Sequence, residues 1–143
     1  MVTKESFRDF LKALAQLRLR ATSDGATVLV EGERDAVSLV ALGIPRKAIL
    51  VLNRGMTLVA VVDGLVAAHR PVVLLTDWDR KGADLVRRLS SLLRGADLDV
   101  DLDTRRRFAK ALKGEVMEVE DIHGWAERSS RLLEEPLDAD SLT

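Results

Sequence analysis

The chain has 143 residues, 47% of them hydrophobic and 31% charged, which fits one domain with a sizeable core and a charged surface. It contains no cysteine, which excludes disulfides, thiolate zinc sites, iron–sulfur clusters and cysteine nucleophiles, and its two histidines are too few for a histidine-rich metal site. No apolar run reaches the roughly 18 residues that would span a bilayer, and the charged N-terminus does not resemble a signal peptide, so we expect a cytoplasmic protein.

The net charge of −1 conceals an uneven distribution of charge along the chain. Residues 80–114 carry ten Lys or Arg against five Asp, whereas residues 115–143 carry nine acids against two Arg. A basic block beside an acidic tail is compatible with a nucleic-acid-binding face and a shielding tail, and equally with two ordinary solvated helices. The acidic C-terminal region is also a candidate surface for a protein partner.

Apolar positions recur at helical spacing near the N-terminus, after a capping pair of Thr3 and Ser6. From residue 26 onward, short apolar segments alternate with amphipathic segments of helical period. Asp103 or Thr104 is expected to cap the fifth of the predicted helices. We predict helices over residues 3–21, 34–42, 57–69, 80–94, 104–113 and 124–135, and strands over residues 26–31, 48–53, 71–76 and 115–120.

The predicted strands are apolar throughout instead of alternating, which is typical of a parallel sheet covered on both faces. We therefore predict a three-layer α/β/α fold of Rossmann-like type, with a four-stranded parallel sheet in which strand one lies beside strand three. The whole chain, 1–143, is interpreted as a single domain. Its parts are an N-terminal helix in residues 1–22, a core in about residues 26–120, and a C-terminal helix and tail in residues 121–143.

Carboxylates follow two of the predicted strands. Glu31 follows the first strand, in VEGERD, and Asp77 and Asp79 follow the third, in TDWDRKG. Sites in open parallel sheets form beyond the carboxyl ends of the strands, so neighbouring first and third strands would bring these three side chains into one crevice. Because like charges repel, such a crevice is costly unless a cation binds there, and its oxygen ligands suit Mg²⁺ or Mn²⁺.

The segments LVEGERDAVSLVALGI and LLTDWDRKGADLVRRL resemble the Toprim family, which is shared by topoisomerases, primases, repair proteins and small ribosomal-RNA-maturing nucleases. The family's two motifs, a glutamate after the first strand and an Asp-x-Asp after the third, match Glu31 and Asp77 with Asp79. The resemblance covers about residues 26–120, and the compact length is most similar to free-standing small Toprim proteins of archaea and bacteria. It implies that Asp77 and Asp79 hold a divalent metal, and that Glu31 helps to bind it or acts as a general acid or base.

The resemblance also implies a partner, nucleic acid, and a chemistry at its phosphodiesters. Because the chain lacks tyrosine, we do not expect a self-sufficient topoisomerase, and because it lacks cysteine and spare length, we do not expect a complete bacterial-type primase. We expect a Mg²⁺-dependent nuclease that hydrolyses RNA or DNA. Two alternatives stay open: a non-catalytic module that binds nucleic acid or a protein partner, and a phosphotransfer enzyme or phosphatase acting on small phosphates.

Several further residues are assigned by their position beside the strand ends. Arg54, Arg80 and Lys81 lie where a substrate phosphate would approach, and we expect them to contact it. The run 105–107, three consecutive arginines, is interpreted as the solvated start of a helix because consecutive helical residues point in different directions.

Each acid also has a structural explanation. Glu31 could complement the positive N-terminus of the helix that follows it, and Asp77 and Asp79 could be loop acids satisfied by neighbouring basic residues. Four residues are expected to support the site or its turns, and Trp78 is expected to pack against a helix. The four are Asp35, Gly32, Gly55 and Gly82.

Overall fold

The computed structural model of the protein describes residues 1–52 and 55–138. In these residues six α-helices alternate with four short β-strands, and two 3₁₀ turns lie at Arg46–Ala48 and Val119–Asp121. The helices are α1 (Lys4–Ala21), α2 (Glu33–Ala41), α3 (Leu58–Ala68), α4 (Arg80–Leu93), α5 (Asp103–Ala111) and α6 (Ile122–Leu133). The strands are β1 (Thr27–Val30), β2 (Ile49–Val51), β3 (Val72–Leu74) and β4 (Val100–Asp101).

The four strands form one parallel sheet in the order β2-β1-β3-β4. Leu29 in β1 lies in register between Leu50 of β2 and Leu74 of β3. The predicted neighbourhood of the first and third strands is therefore confirmed. It matters for function because the residues that leave β1 and β3 at their carboxyl ends must emerge side by side.

Helices cover both faces of the sheet, and the alternation of strand side chains divides the core into two clusters. Val28 and Val73 point into the larger cluster, which also contains buried residues of α1, α2, α5 and α6. Leu29 and Leu74 point into the smaller cluster, together with buried residues of α3 and α4. The three-layer α/β/α fold is thus confirmed, with α3 and α4 together on one face.

An aromatic group anchors the larger cluster. Phe10 of α1 meets Trp125 of α6 edge-on at a centroid distance of 5.1 Å, and it also contacts Phe7 and Phe108. Such edge contacts are favourable beyond the area that they bury. They tie the first and last helices to α5, so the N-terminal and C-terminal parts of the chain share one core.

The predicted fourth strand at residues 115–120 is wrong. That segment contains no strand and ends in the Val119–Asp121 turn, and the fourth strand is the two-residue β4 on the far side of β3. Val116 and Val119 are buried while the residues between them are exposed, because the segment packs these two valines into the larger core cluster. Local burial thus imitates a strand pattern without sheet pairing.

The predicted cap of the fifth helix is wrong as well. The helix begins at Asp103, and it is Asp101, in β4, whose Oδ1 accepts a hydrogen bond from the backbone N–H of Thr104 at 3.0 Å. At the N-terminus, the capping pair of Thr3 and Ser6 is confirmed. Among the helices of residues 1–52 and 55–138, none is long and apolar enough to cross a membrane.

Candidate metal centre

Glu31 joins the ends of the two central strands. It is the residue after β1, and its Oε2 accepts a hydrogen bond from the backbone N–H of Asp77 at 2.8 Å. The carboxylate is partly buried and points across the gap between β1 and the segment that follows β3. The parallel pairing of β1 with β3 makes this contact possible, because it places both chain exits at one edge of the sheet.

Asp77 and Asp79 are each held by a backbone N–H group. Asp77 Oδ1 accepts from the N–H of Val119 at 2.7 Å, which ties the segment after β3 to the 3₁₀ turn near the C-terminus. Asp79 is the N-cap of α4, and its Oδ1 accepts from the N–H of Gly82 at 2.8 Å. A binding site needs side chains that are held in fixed positions. These two hydrogen bonds orient both aspartates without a bound ligand.

Gly82 allows this turn to be as tight as it is. A Cβ atom at position 82 would lie 1.7 Å from the carbonyl oxygen of Asp77, a distance that no side chain can tolerate. The carbonyl of Gly82 also accepts a hydrogen bond from the buried hydroxyl of Thr76 at 2.8 Å. The first turn of α4 therefore packs directly against the backbone of Asp77, and Asp77 and Asp79 lie in one tight turn.

These side chains line a crevice of about 650 Å³ at the carboxyl ends of β1 and β3. Of its described lining residues, seven are acidic and two are basic, Arg34 and Lys81. The acids are Glu31, Glu33, Asp35, Asp77, Asp79, Glu118 and Glu120. The excess of negative charge is large for so small a space, and a polar crevice of this kind attracts cations.

The concentration of carboxylates changes their proton affinity. Burial, with a further contribution from the negative charges of Asp35, Asp79 and Glu118, raises the pKa of Asp77 to about 6, and the hydrogen bond from Val119 limits the rise. Burial also raises the pKa of Glu31, with the charges of Asp77 and Asp79 acting in the same direction. Both carboxylates are thus less stable as anions than in water, as expected where cations are too few.

Asp35 and Gly32 line this crevice, Gly82 contacts Asp77 beside it, and Gly55 is distinguished by its backbone conformation. Asp35 is buried, and its Oδ2 accepts from the N–H of Gly32, the N-cap of α2, at 3.0 Å. Burial raises the pKa of Asp35. Gly55 has a φ of +78°, a conformation that side chains rarely adopt, and Gly82 makes the close approach described above. The structure thus gives Asp35 and Gly82 direct contacts with the walls of the crevice.

The three basic residues predicted to bind phosphate have different positions. Lys81 lines the crevice. Arg80 is exposed and lies on an adjoining concave surface of α4 instead of in the crevice itself. Arg54 lies outside the described residues. Trp78, predicted to pack against a helix, is partly buried against the larger core cluster and donates its indole N–H to the carbonyl of Val116.

A family model described as Toprim-like matches residues 28–111, more than half of the chain. The chain belongs to the Toprim-like family. A UPF0292 protein from Thermococcus gammatolerans is 34% identical to it over 120 residues, which are 84% of this chain and 85% of that protein. A UPF0292 protein from Thermococcus sibiricus is 36% identical over 114 residues, 79% of this chain and 87% of that protein.

A solved structure, described as a putative protein from Aquifex aeolicus, is similar to this chain with a TM-score of 0.62. The two are 28% identical, and the similarity covers 76% of this chain and 94% of that one. Membership of the Toprim-like family indicates a metal-binding module of nucleic-acid processing. The acidic character of the crevice agrees with a site for a divalent metal, since carboxylate oxygens are the ligands that such hard cations prefer.

Arg105, a residue that sequence reasoning missed, holds the segment that carries Asp77. Its Nε donates to the carbonyl of Thr76 at 3.1 Å and its Nη2 to the carbonyl of Asp77 at 2.8 Å, so it is not a solvated helix start. Burial lowers its pKa, and the charges of Glu31, Asp79 and Asp77 act against that. The signal available in the sequence was weak, since nothing distinguishes it from the two arginines that follow.

A second missed feature is the acidic turn formed by Glu118, Glu120 and Asp121. Within residues 1–52 and 55–138 these form the one group of three possible metal ligands whose atoms all lie within 4.8 Å of one another. A hydrogen bond with Glu120 raises the pKa of Glu118. Glu31, Asp77 and Asp79 are spread more widely, because each is hydrogen-bonded to a different backbone segment. The wrong strand assignment at residues 115–120 concealed this turn.

Proposed function

We propose that the crevice binds a divalent cation, Mg²⁺ or Mn²⁺, through Asp77, Asp79 and Glu31, and that the protein hydrolyses phosphodiesters of RNA or DNA there. The observation that carries the proposal is the crevice itself, in which seven acids face two bases among the described lining residues. The two lining bases do not balance seven acids, so a bound cation would offset part of the remaining repulsion.

The residues present fit a hard cation. Asp77, Asp79 and Glu31 supply oxygen ligands alone, which suits Mg²⁺ and Mn²⁺ and does not suit softer metals. In each carboxylate one oxygen accepts from a backbone N–H, and among the described residues no donor is hydrogen-bonded to the other oxygen. The bonded oxygens fix the side chains, and the others are available as ligands.

Bound at these oxygens, a divalent cation would neutralise phosphate charge and stabilise the negative charge that develops in hydrolysis. The protein's own groups account for the remaining requirements. Glu31, whose pKa is raised by burial, is suited to accept and return a proton. Lys81 lines the same crevice and would contact a phosphate oxygen. Arg105 holds the carbonyls of Thr76 and Asp77 and so keeps the aspartate segment in place.

One observation favours a second candidate, a module that binds nucleic acid or a protein partner without cutting. Each of the three carboxylates already has a structural role, Asp79 as the cap of α4, and Glu31 and Asp77 as links between segments. Side chains with such roles would be needed for folding even in a protein without catalysis. Measurements of metal binding and of cleavage, made separately, distinguish the two candidates.

The test is a calorimetric titration of Mn²⁺ and Mg²⁺ into the wild type and into the Asp77→Asn/Asp79→Asn variant, with cleavage of labelled RNA and DNA in parallel. Asparagine keeps an oxygen that can accept from Val119 or Gly82, so the variant should fold. We expect metal binding and metal-dependent cleavage in the wild type and neither in the variant. Metal binding without cleavage would favour the binding module, and absence of metal binding would reject the proposal.

A further inference from the structure

A concave surface continues from the acidic crevice along the outside of α4. Lys81 and Leu85 line both the crevice and this surface, and Leu58, at the start of α3, lines both the crevice and the far part of the surface. Arg88 lies in the middle and lines both parts of it. We call this surface the α3–α4 groove: residues 57–59 form one wall, and the outer face of α4 from Arg80 to Leu92 forms the other.

The charge of the groove is opposite to that of the crevice. Its described lining residues include four bases, Arg80, Lys81, Arg87 and Arg88, against one acid, Asp84. Asp84 is paired with Arg87. For the other three bases, no carboxylate within residues 1–52 and 55–138 lies close enough to form an ion pair. A surface with three unpaired cations directly beside an acidic crevice has an evident electrostatic preference for an anionic chain.

The spacing of the bases gives the groove a direction. Positions 81, 85, 88 and 92 lie on one face of α4, since they are separated by three or four residues. With a rise of about 1.5 Å per residue, Lys81 and Arg88 stand on the order of 10 Å apart along the helix axis. Two cations, Lys81 at the crevice and Arg88 farther along α4, therefore lie on a line that leads away from the crevice, where a chain of phosphates could follow it.

We propose that the α3–α4 groove holds the phosphodiester backbone of a nucleic-acid strand whose reacting phosphate lies in the crevice. This inference rests on the proposed function and adds to it the path of the substrate. The described lining of the groove contains no aromatic side chain, so bases do not stack there, and the contacts are to phosphate and sugar. Exposed Val59 and Leu92 provide apolar contacts for the sugars.

Another basic concavity, between α1 and α5, serves as a comparison. It is lined by four bases, Lys12, Arg106, Arg107 and Lys110, but it shares no described lining residue with the crevice. Two of its arginines are paired with Asp103. A strand bound there could not be delivered to the carboxylates by a continuous surface. It therefore provides a control of equal charge change at a place where no substrate path is proposed.

The experiment measures fluorescence anisotropy of labelled single-stranded RNA and DNA of one sequence, and of the matching duplexes, with full-length protein in Mg²⁺ over a range of salt concentrations. The groove variant is Arg87→Glu/Arg88→Glu and the control is Lys12→Glu/Lys110→Glu, all four positions being exposed. We expect the groove variant to lose affinity about tenfold or more and to show a shallower salt dependence, by about one to two in slope, whereas the control changes little. A third variant, Arg88→Lys, keeps the charge and should retain binding.

The RNA and DNA arms identify which of the two backbones the groove accepts. Equal loss of affinity in groove and control variants would overturn the inference, because it would indicate unspecific attraction, and so would absence of nucleic-acid binding by the wild type. Circular dichroism melting of each variant separates loss of binding from loss of folding. Hydrolysis of a small diester, bis(p-nitrophenyl) phosphate with Mn²⁺, separates this inference from the proposed function: it should survive in the groove variant and disappear in Asp77→Asn/Asp79→Asn.

Discussion

Two groups of carboxylates in this protein are compensated in opposite ways. Near the C-terminal end of α1, the guanidinium of Arg20 contacts Asp24 and Asp99 at 2.9 Å each and Asp101 at 3.3 Å. In the crevice, seven acids share a space with two bases among the described lining residues, and Arg105 donates to backbone carbonyls instead of to carboxylates. The comparison teaches that one acidic cluster shares a single arginine as its cation, whereas the crevice has many more acids than bases, as the proposed cation site requires.

The largest effect is expected from Gly82→Ala, which tests whether the uncompensated group depends on its tight turn. The new Cβ would overlap the carbonyl of Asp77, so the start of α4 must move away from the aspartate segment. We expect a loss of at least about 3 kcal/mol in the free energy of unfolding, measured by urea denaturation, or failure to fold. Gly64→Ala, in α3 with nothing within 4 Å, is the control and should stabilise by about 0.5–1 kcal/mol. A loss of less than about 1 kcal/mol in Gly82→Ala would contradict this prediction, because it would show that the turn can rearrange to admit a Cβ atom.

The second effect concerns the compensated group. Arg20→Met removes three ion pairs and leaves the buried carboxylate of Asp101 without its cation. We expect destabilisation of about 2 kcal/mol at neutral pH by urea denaturation, since a buried charge that loses its partner is costly. Arg107→Met is the control: its partner Asp103 is exposed, so stability should hardly change. Equal results for the two variants would mean that Arg20 does not neutralise its group.

The third prediction concerns Arg105, whose removal should lower the stability of the protein and raise its affinity for Mn²⁺. Arg105→Met removes the donors to the carbonyls of Thr76 and Asp77, which should cost about 1 kcal/mol of stability. It also removes a positive charge from the neighbourhood of the three proposed ligands, so calorimetry should find Mn²⁺ bound several-fold more tightly. The neighbouring Arg106→Met, with a side chain 73% exposed, should change neither. Weaker metal binding in Arg105→Met would mean that its positioning role outweighs its charge.

The smallest effect is a pH dependence without added metal. The pKa of Asp77 is raised by burial to about 6, so between about pH 4 and pH 6 the folded protein holds a proton that the unfolded chain has released. This contribution to stability is complete below about pH 4 and is lost as the pH rises through 6. Asp77→Asn stays neutral, so it should exceed the wild type by about 1 kcal/mol at pH 7 in EDTA, an amount reduced by solvent screening, and match it near pH 4. An advantage independent of pH would contradict this assignment.

Most of the fold could be predicted from the sequence because the main strands and helices have recognisable local sequence patterns. The segments around β1, β2 and β3 are apolar and bounded by turn residues, and their helices have clear amphipathic periods. The fourth strand could not be found in this way. Val100 and Asp101 are strand residues because the edge of β3 lies beside them, and residues 115–120 have a strand-like pattern because the core accepts Val116 and Val119. Both outcomes depend on tertiary contacts.

The candidate site shows the same division. Glu31, Asp77 and Asp79 were predicted to meet because strand ends in a parallel sheet meet, and the structure gathers them in one crevice; their role as ligands stays a prediction. Arg105 could not be distinguished from the arginines beside it, since its contacts are with carbonyls some 28 residues earlier in the chain. The Val119 N–H that holds Asp77 is a backbone group and leaves no trace in a side-chain pattern.

The hydrogen bond between Asp77 and Val119 has a consequence for the protein during its synthesis. Glu31 and the aspartates leave the ribosome first, and the donor that orients Asp77 follows 42 residues later. Until then the nascent chain carries its acids without their final arrangement, and the Toprim-like match itself ends at residue 111, before this donor. Asp77 can therefore take its final orientation only after the turn at Val119–Asp121 has emerged and docked.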